Sequence, residues 1–350
     1  MVVFYEEDND KVELIETNKK IKSNNNLIKE SIRGNKMISD TLHVVTVISN
    51  ICEFKRRWEL MKDFILRLEN YPNVKLYVVE MVYGGQDFHI TSPTNPSHLQ
   101  IRTNYALWHK ENMINLAINK LLPINWKAVA WIDGDIEFEN PNWVIDSLKV
   151  LTNFDIIQLF TTCFDLDESE KPMRVFQSFG YKYAHGEDFI VKNNQGQNYW
   201  HPGYAWACTR DFYNKIGYIY DKGILGSGDY VISQALLGNL GCRNAKMPGY
   251  VSNIKNYVDK FVDFKVGYIP TNIIHYFHGS KANRKYTERI QILLKYNYDP
   301  DFHVSYNEEG ILVPTKYMCG EFIQDINRYF FERNEDEFYD LIKINEARKN

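Results

Sequence analysis

Paired cysteines, an excess of basic residues and long hydrophobic runs are all missing from this chain, and each absence removes a class of answers. The five cysteines among 350 residues, Cys52, Cys163, Cys208, Cys242 and Cys319, are odd in number, scattered and never spaced C-x-x-C. That excludes a disulfide-dense scaffold or a zinc ribbon and predicts buried thiols in a reducing compartment. Lys and Arg total 41 against 45 Asp and Glu, a net charge of −4. This balance argues against broad capture of nucleic acid or an acidic membrane, so phosphate binding is expected only at a defined site. No apolar stretch approaches the roughly 20 residues of a membrane span, and no basic flank precedes an apolar core at the amino terminus. The expectation is a cytoplasmic protein with no integral membrane segment and no nucleic-acid partner. No internal repeat is visible.

What is present is apolar mass: 44% of residues are hydrophobic and 15% aromatic, enough to bury one large core or two modest ones. Residues 1–40, rich in Asn, Lys and Glu, read as a polar extension with one short helix, lying outside the catalytic core. A β-branched run predicts a strand at 42–48, and Trp58, Met61, Phe64, Ile65 and Leu68 predict a helix over 54–68. Strand 74–80, helix 112–122, strand 128–132, helix 141–151 and strand 155–160 continue the alternation. Such alternation predicts an α/β protein whose mainly parallel sheet is covered by helices on both faces. Residues 165–199 read as polar loop, and 320–343 as an amphipathic terminal helix packed on the core.

The most informative stretch is 127–138, where an apolar run suited to a buried strand ends in Asp133-Gly134-Asp135. Carboxylates placed there are costly unless paired or coordinated, and ligands of open α/β sheets sit outside the carboxyl ends of the strands. Oxygen ligands of this kind suit Mg²⁺ or Mn²⁺ bridging to nucleotide phosphates. The same residues also occur at ordinary strand exits, so the surrounding clusters matter. Lys110 and the free N–H groups of a helix start could meet phosphate or sugar hydroxyls just before the aspartate strand. Tyr204 and Trp206 either stack on the apolar face of a sugar ring or belong to the core. Gly226-Ser227-Gly228-Asp229 permits close backbone approach and delivers one carboxylate, which also reads as a helix N-cap. His275 and His278 precede Lys281, Arg284 and Arg289, an order in which imidazole completes a cation site and the basic groups neutralise a diphosphate.

Taken together, strand, Lys-Glu-Asn helix, hydrophobic strand into Asp-Gly-Asp, Pro-Gly-aromatic segment, Gly-x-Gly-Asp and late His-Gly resemble the metal-dependent glycosyltransferases of the GT-A fold over most of residues 42–300. Residues 202–238 are similar to the acceptor-side region of the galactosyltransferase-like and polypeptide N-acetylgalactosaminyltransferase families. The resemblance implies a GT-A (Rossmann-like) mixed, mainly parallel sheet flanked by helices, with a C-terminal helical extension. It implies a catalytic domain over 41–300, divided into a nucleotide-sugar half (41–160) and an acceptor half (161–300), with the extension at 301–350. The implied activity is transfer of a hexose from a nucleoside diphosphate sugar, UDP-sugar favoured and GDP-sugar possible, to a hydroxyl of a glycan or protein, with Mn²⁺ or Mg²⁺.

Within that resemblance, Asp133 and Asp135 are the Asp-x-Asp metal pair, Asp133 also near the ribose or donor sugar, and His278, or else His275, is the late metal ligand. Thr46 to Asn50, at the end of the first strand, belong with Lys110, Lys281 and Arg284 to the donor site, Tyr204 and Trp206 to the acceptor site, and Asp229 is the base of an inverting enzyme. The chain lacks the tryptophan and the adjacent acidic pair of the family's Gly-rich motif, which leaves acceptor and base open. Two other readings compete. A haloacid-dehalogenase-like phosphatase also places Asp-x-Asp after a strand, but needs a nucleophilic aspartate near its first strand, whereas about 130 residues precede this pair. A carbohydrate-binding protein would use Tyr and Trp without turnover and show no manganese-dependent affinity for a nucleotide.

Overall fold

Apolar residues on both faces of its strands put the central sheet in the middle of the molecule. In β1 (Leu42–Ser49), Val45 enters one hydrophobic cluster while Leu42, Val44 and Ile48 enter the other. In β4 (Ala128–Ile132), Val129 and Trp131 face the first cluster, and Ala128, Ala130 and Ile132 face the second. A strand buried on both sides reads as a continuous apolar run, which is why these two were visible in the sequence. The computed structural model describes residues 24–187, 200–240, 246–280, 283, 285 and 288–347.

β1 pairs in parallel with β4 on one side and with β2 (Val74–Tyr83) on the other, and β2 carries β3 (His98–Thr103), also in parallel. Beyond β4 lies β9 (Ala205–Thr209), antiparallel to both β4 and β6 (Ile156–Gln158), and β10 (Val266–Tyr268) closes the edge parallel to β6. The described residues thus form a mixed α/β fold with a seven-stranded, mainly parallel sheet, flanked by helices as expected. One face is covered by helices Asn25–Arg33, Lys55–Leu68 and Trp143–Val150, the other by Lys110–Lys120, Gly228–Leu236, Pro248–Val258 and Gly320–Phe331.

A second sheet of four strands sits where the first aspartates emerge. β5 (Ile136–Phe138) runs antiparallel to β11 (Asn272–His275), which pairs in parallel with β7 (Thr162–Leu166), followed by β8 (Pro172–Gln177). A small hairpin, β12 (Val304–Tyr306) with β13 (Leu312–Pro314), precedes the C-terminal helices.

Three expectations change. The stretch 165–199, read as polar loop, carries strand β8 and helix Phe179–Ala184 among its described residues. The helix Asn25–Arg33 is docked onto the core rather than outside it: Ile28 is buried, Asn24 Nδ2 donates to the Val266 carbonyl, and Tyr268 donates to Asn25. Residues 1–23 of that expected extension lie outside the described residues. The terminal stretch is two helices, Gly320–Phe331 and Glu337–Ala347, and the turn between them enters the candidate site.

Candidate active site

The cleft lies past the carboxyl ends of β1 and β4, a cavity of about 280 Å³. β4 delivers Asp133, whose backbone N–H donates to the Tyr204 carbonyl. A Cβ on Gly134 would lie 2.5 Å from Met61 Cε, the tip of a flexible side chain on helix Lys55–Leu68, so that methionine would have to move to admit one. Asp135 comes next, and its carbonyl accepts from the Tyr276 N–H, which ties it to the end of β11.

That pairing assembles a cluster. Asp135, His275 and His278 offer ligand atoms that all lie within 4.8 Å of one another. Asp135 Oδ2 is 3.1 Å from His278 Nε2 and 3.6 Å from His275 Nε2. Each imidazole is held from behind by a buried carboxylate: His275 Nδ1 lies 2.7 Å from Asp165 Oδ1, its register partner on β7, and His278 Nδ1 lies 3.2 Å from Glu335 Oε2. Carboxylates behind histidines in this way fix the ring tautomer and raise ligand basicity at metal sites. Asp135 Oδ1 is buried with no hydrogen-bond partner, an orphan acceptor that a cation would satisfy. Burial would raise the Asp135 carboxyl, yet His275 and His278 hold it well below the usual range. The donor set, two imidazoles and one carboxylate, fits a divalent transition ion such as Mn²⁺ better than Mg²⁺, which prefers all-oxygen shells.

Asp133 takes a different partner. Lys110, at the start of its helix, reaches Asp133 Oδ1 at 2.6 Å and Asp229 Oδ2 at 3.3 Å. Burial alone would lower the Lys110 pKa, but Asp133 and Asp229 raise it well above the ordinary lysine value. Burial raises the Asp133 carboxyl to about 6 against the pull of Lys110, and raises Glu111, the next residue of that helix, to about 8. Asp229 occupies the first turn of helix Gly228–Leu236, preceded by Ser227 at φ 82°. Arg289 holds that turn, donating to Ser227 Oγ at 2.8 Å and to the Leu225 carbonyl at 3.2 Å.

The residues expected from the sequence are therefore distributed unevenly. Lys110, Asp133, Asp135, Tyr204, Asp229, His275 and His278 all line the one cleft. Tyr204 has one face covered by His201, its ring 4.3 Å away and nearly parallel. Trp206, expected on the acceptor side, is instead 0% exposed: its indole donates to the Pro202 carbonyl and packs near Phe179. It sits opposite Trp131 in the β4–β9 pair, so its face is spent on the core. Of the stretch Thr46 to Asn50 expected in the donor site, Val47, Ile48 and Ser49 line the cleft, while Thr46 is buried one step too deep, its hydroxyl directed at Met61 Sδ. Lys281 and Arg284 lie outside the described residues. Two cations on the cleft wall, Arg57 and Arg333, were not found from the sequence. Nothing local marks them, since an arginine early in a charged helix or after a terminal one reads as solvated.

No protein-family model matches the chain, and no curated protein matches it in sequence. Among solved structures, the chain is similar to a Drosophila β1,4-galactosyltransferase 7 in complex with manganese, UDP-Gal and xylobiose, at 11% identity and a TM-score of 0.28, over 55% of this chain and 59% of that one. It thus spans under two thirds of that protein. It is also similar to a putative nucleotide-diphospho-sugar transferase from Desulfovibrio desulfuricans, at 9% identity and a TM-score of 0.31, over 74% of this chain and 98% of that one. A third similarity, at 9% identity and a TM-score of 0.30, is to a 4-diphosphocytidyl-2C-methyl-D-erythritol synthase from Anaerococcus prevotii, over 83% and 98% of the two chains. Among the described residues, no helix is long and apolar enough to cross a membrane.

Proposed function

We propose that the protein is a GT-A type hexosyltransferase that takes its sugar from a nucleoside diphosphate donor, with UDP-sugar favoured, and passes it to a hydroxyl on a glycan or protein. The observation that carries this reading is the convergence, in one cleft, of a carboxylate–imidazole cluster with an orphan oxygen, a wall of arginines and a separate carboxylate held by lysine. A diphosphate needs the first two; a hydroxyl nucleophile needs the third.

Asp135, His275 and His278 would hold the divalent ion, and Asp133 stands beside them as the second acid of the pair. When bound, that ion supplies Lewis-acid neutralisation of the departing diphosphate. Arg57, Arg289 and Arg333 supply fixed positive charge along the same wall, aimed where negative charge grows as the glycosidic bond breaks. Lys110, between Asp133 and Asp229, offsets the repulsion of the two carboxylates and would offer its ammonium to a donor hydroxyl or phosphate oxygen. Asp229 accepts the proton of the acceptor hydroxyl in an inverting reaction, a contribution of roughly 10²–10⁴-fold. The burial of Trp206 speaks against a lectin that relies on it for stacking.

Thermal unfolding with UDP or GDP, each with and without Mn²⁺, tests the binding half, because a ligand at 100 times its Kd adds about 2.7 kcal/mol to stability. Released nucleoside diphosphate from a panel of nucleotide sugars then names the donor. Absence of any Mn²⁺-dependent stabilisation by either nucleotide would defeat the proposal.

A further inference from the structure

We infer, resting on the transferase reading above, that Glu335 is a positioning residue that ties cation binding to diphosphate binding. It reaches the site from the C-terminal turn after helix Gly320–Phe331, which Phe322, Ile326 and Tyr329 anchor in the core. Its carboxylate is 2% exposed, and both oxygens are engaged. Oε1 accepts from Arg57 Nη2 at 2.7 Å and from Arg333 Nη2 at 2.8 Å; Oε2 accepts from Arg57 Nε and faces His278 Nδ1 at 3.2 Å.

This arrangement has two effects. Accepting from Nδ1–H, Glu335 would leave His278 Nε2, 3.1 Å from Asp135 Oδ2, as the lone-pair atom once a cation lies between them, which is the tautomer a metal ligand needs. The same carboxylate sets the planes of two guanidiniums on the cleft wall. Arg57 is further fixed by the Ser49 carbonyl at 2.8 Å, and Arg333 lies over the Trp108 ring at 5.7 Å. One negative charge against two positive ones leaves the trio cationic, as a diphosphate requires. A single buried side chain thus orients one ligand of the cation and two partners of the anion.

The test measures Mn²⁺ affinity by electron paramagnetic resonance of the free ion, with and without UDP, on the full chain. Wild type, Glu335→Gln, His278→Gln and the double variant are compared. Glu335→Gln is expected to weaken Mn²⁺ binding by about 10–100-fold and to shrink the factor by which UDP tightens it. If Glu335 acts through His278, the double variant binds Mn²⁺ about as weakly as His278→Gln alone. A merely structural role would leave the UDP factor unchanged. Wild-type Mn²⁺ affinity in Glu335→Gln, or fully additive losses in the double variant, would overturn the inference while leaving the transferase reading in place. Failure of wild type to bind Mn²⁺ with UDP would overturn the reading and the inference together. Should Glu335→Gln not fold, Glu335→Asp, which keeps the charge but shortens the reach to His278, is read by the same measure: weakened Mn²⁺ binding supports the inference and unchanged binding overturns it.

Discussion

Replacing Lys110 by methionine separates the two jobs that charge does in this cleft. Among the described residues, Lys110 is the cation within 4 Å of both Asp133 and Asp229, at 2.6 and 3.3 Å. At an effective dielectric constant of about 20, a pair of charges near 4 Å apart gains about 4 kcal/mol before desolvation. The three side chains retain 18%, 27% and 22% of their exposure, so solvent screening brings the net cost of losing the ammonium below the ~3–5 kcal/mol of a fully buried pair, to about 1–3 kcal/mol. For a chain of 350 residues, that is a fall in Tm of about 1–4 °C.

The pH dependence gives the sharper signature. Burial already raises the Asp133 carboxyl to about 6 with Lys110 opposing it, and without the lysine it rises further. A carboxyl raised in the folded state contributes stability at low pH and loses it as pH climbs through the folded value. The deficit of Lys110→Met is therefore largest above pH 7 and narrows toward pH 5, which thermal denaturation across that range reads directly. Asp133, released from its partner, becomes available to a cation, so Mn²⁺ affinity holds or rises. Affinity for UDP in saturating Mn²⁺ falls by about 10–100-fold, the worth of one or two charged hydrogen bonds. A deficit that does not vary with pH, or Mn²⁺ affinity that falls in step with nucleotide affinity, would refute the reasoning.

Two further expectations rest on other residues. His109 donates from Nε2 to the Leu312 carbonyl at 2.8 Å, and burial lowers its pKa to about 4. The unfolded chain takes up a proton below about pH 6.5 that the folded chain refuses, so wild type loses up to about 3 kcal/mol as pH falls to 4; His109→Gln keeps a donor and flattens that part of the denaturation profile, and superimposable profiles would contradict the assignment. Gly228→Ala would place a Cβ 2.4 Å from the buried Glu111 carboxylate, so either that side chain or the helix start bearing Asp229 must shift. The expected results are a stability loss of about 1–3 kcal/mol and weaker nucleotide binding by calorimetry; a variant indistinguishable from wild type in both would show that Glu111 yields freely.

How much of this was legible beforehand depended on the range of the signal. β1, β4 and helix Lys55–Leu68 were readable because burial on two faces, or on one helical stripe, writes itself into consecutive residues. The same rule would have found β9, where Ala205, Trp206, Ala207 and Cys208 form just such a buried run, but the aromatic ring drew the reading toward a sugar platform. The helix Asn25–Arg33 was underrated because its polar flanks conceal the short set, Ile28 with Leu27 and Ile32 beside it, that packs on the core.

From the sequence alone came the α/β class, the Asp-Gly-Asp exit from a buried strand and the suspicion that late histidines complete it, since chain neighbours carry all three signals. Only the tertiary structure decided which groups meet there. The register of β11 on β7 sets Asp165 behind His275, and the fold of the C-terminal turn brings Arg333 and Glu335 to His278, more than fifty residues away along the chain. A buried carboxylate and its arginines are held by pairings between distant segments, and such pairings leave no periodic trace in the segments themselves.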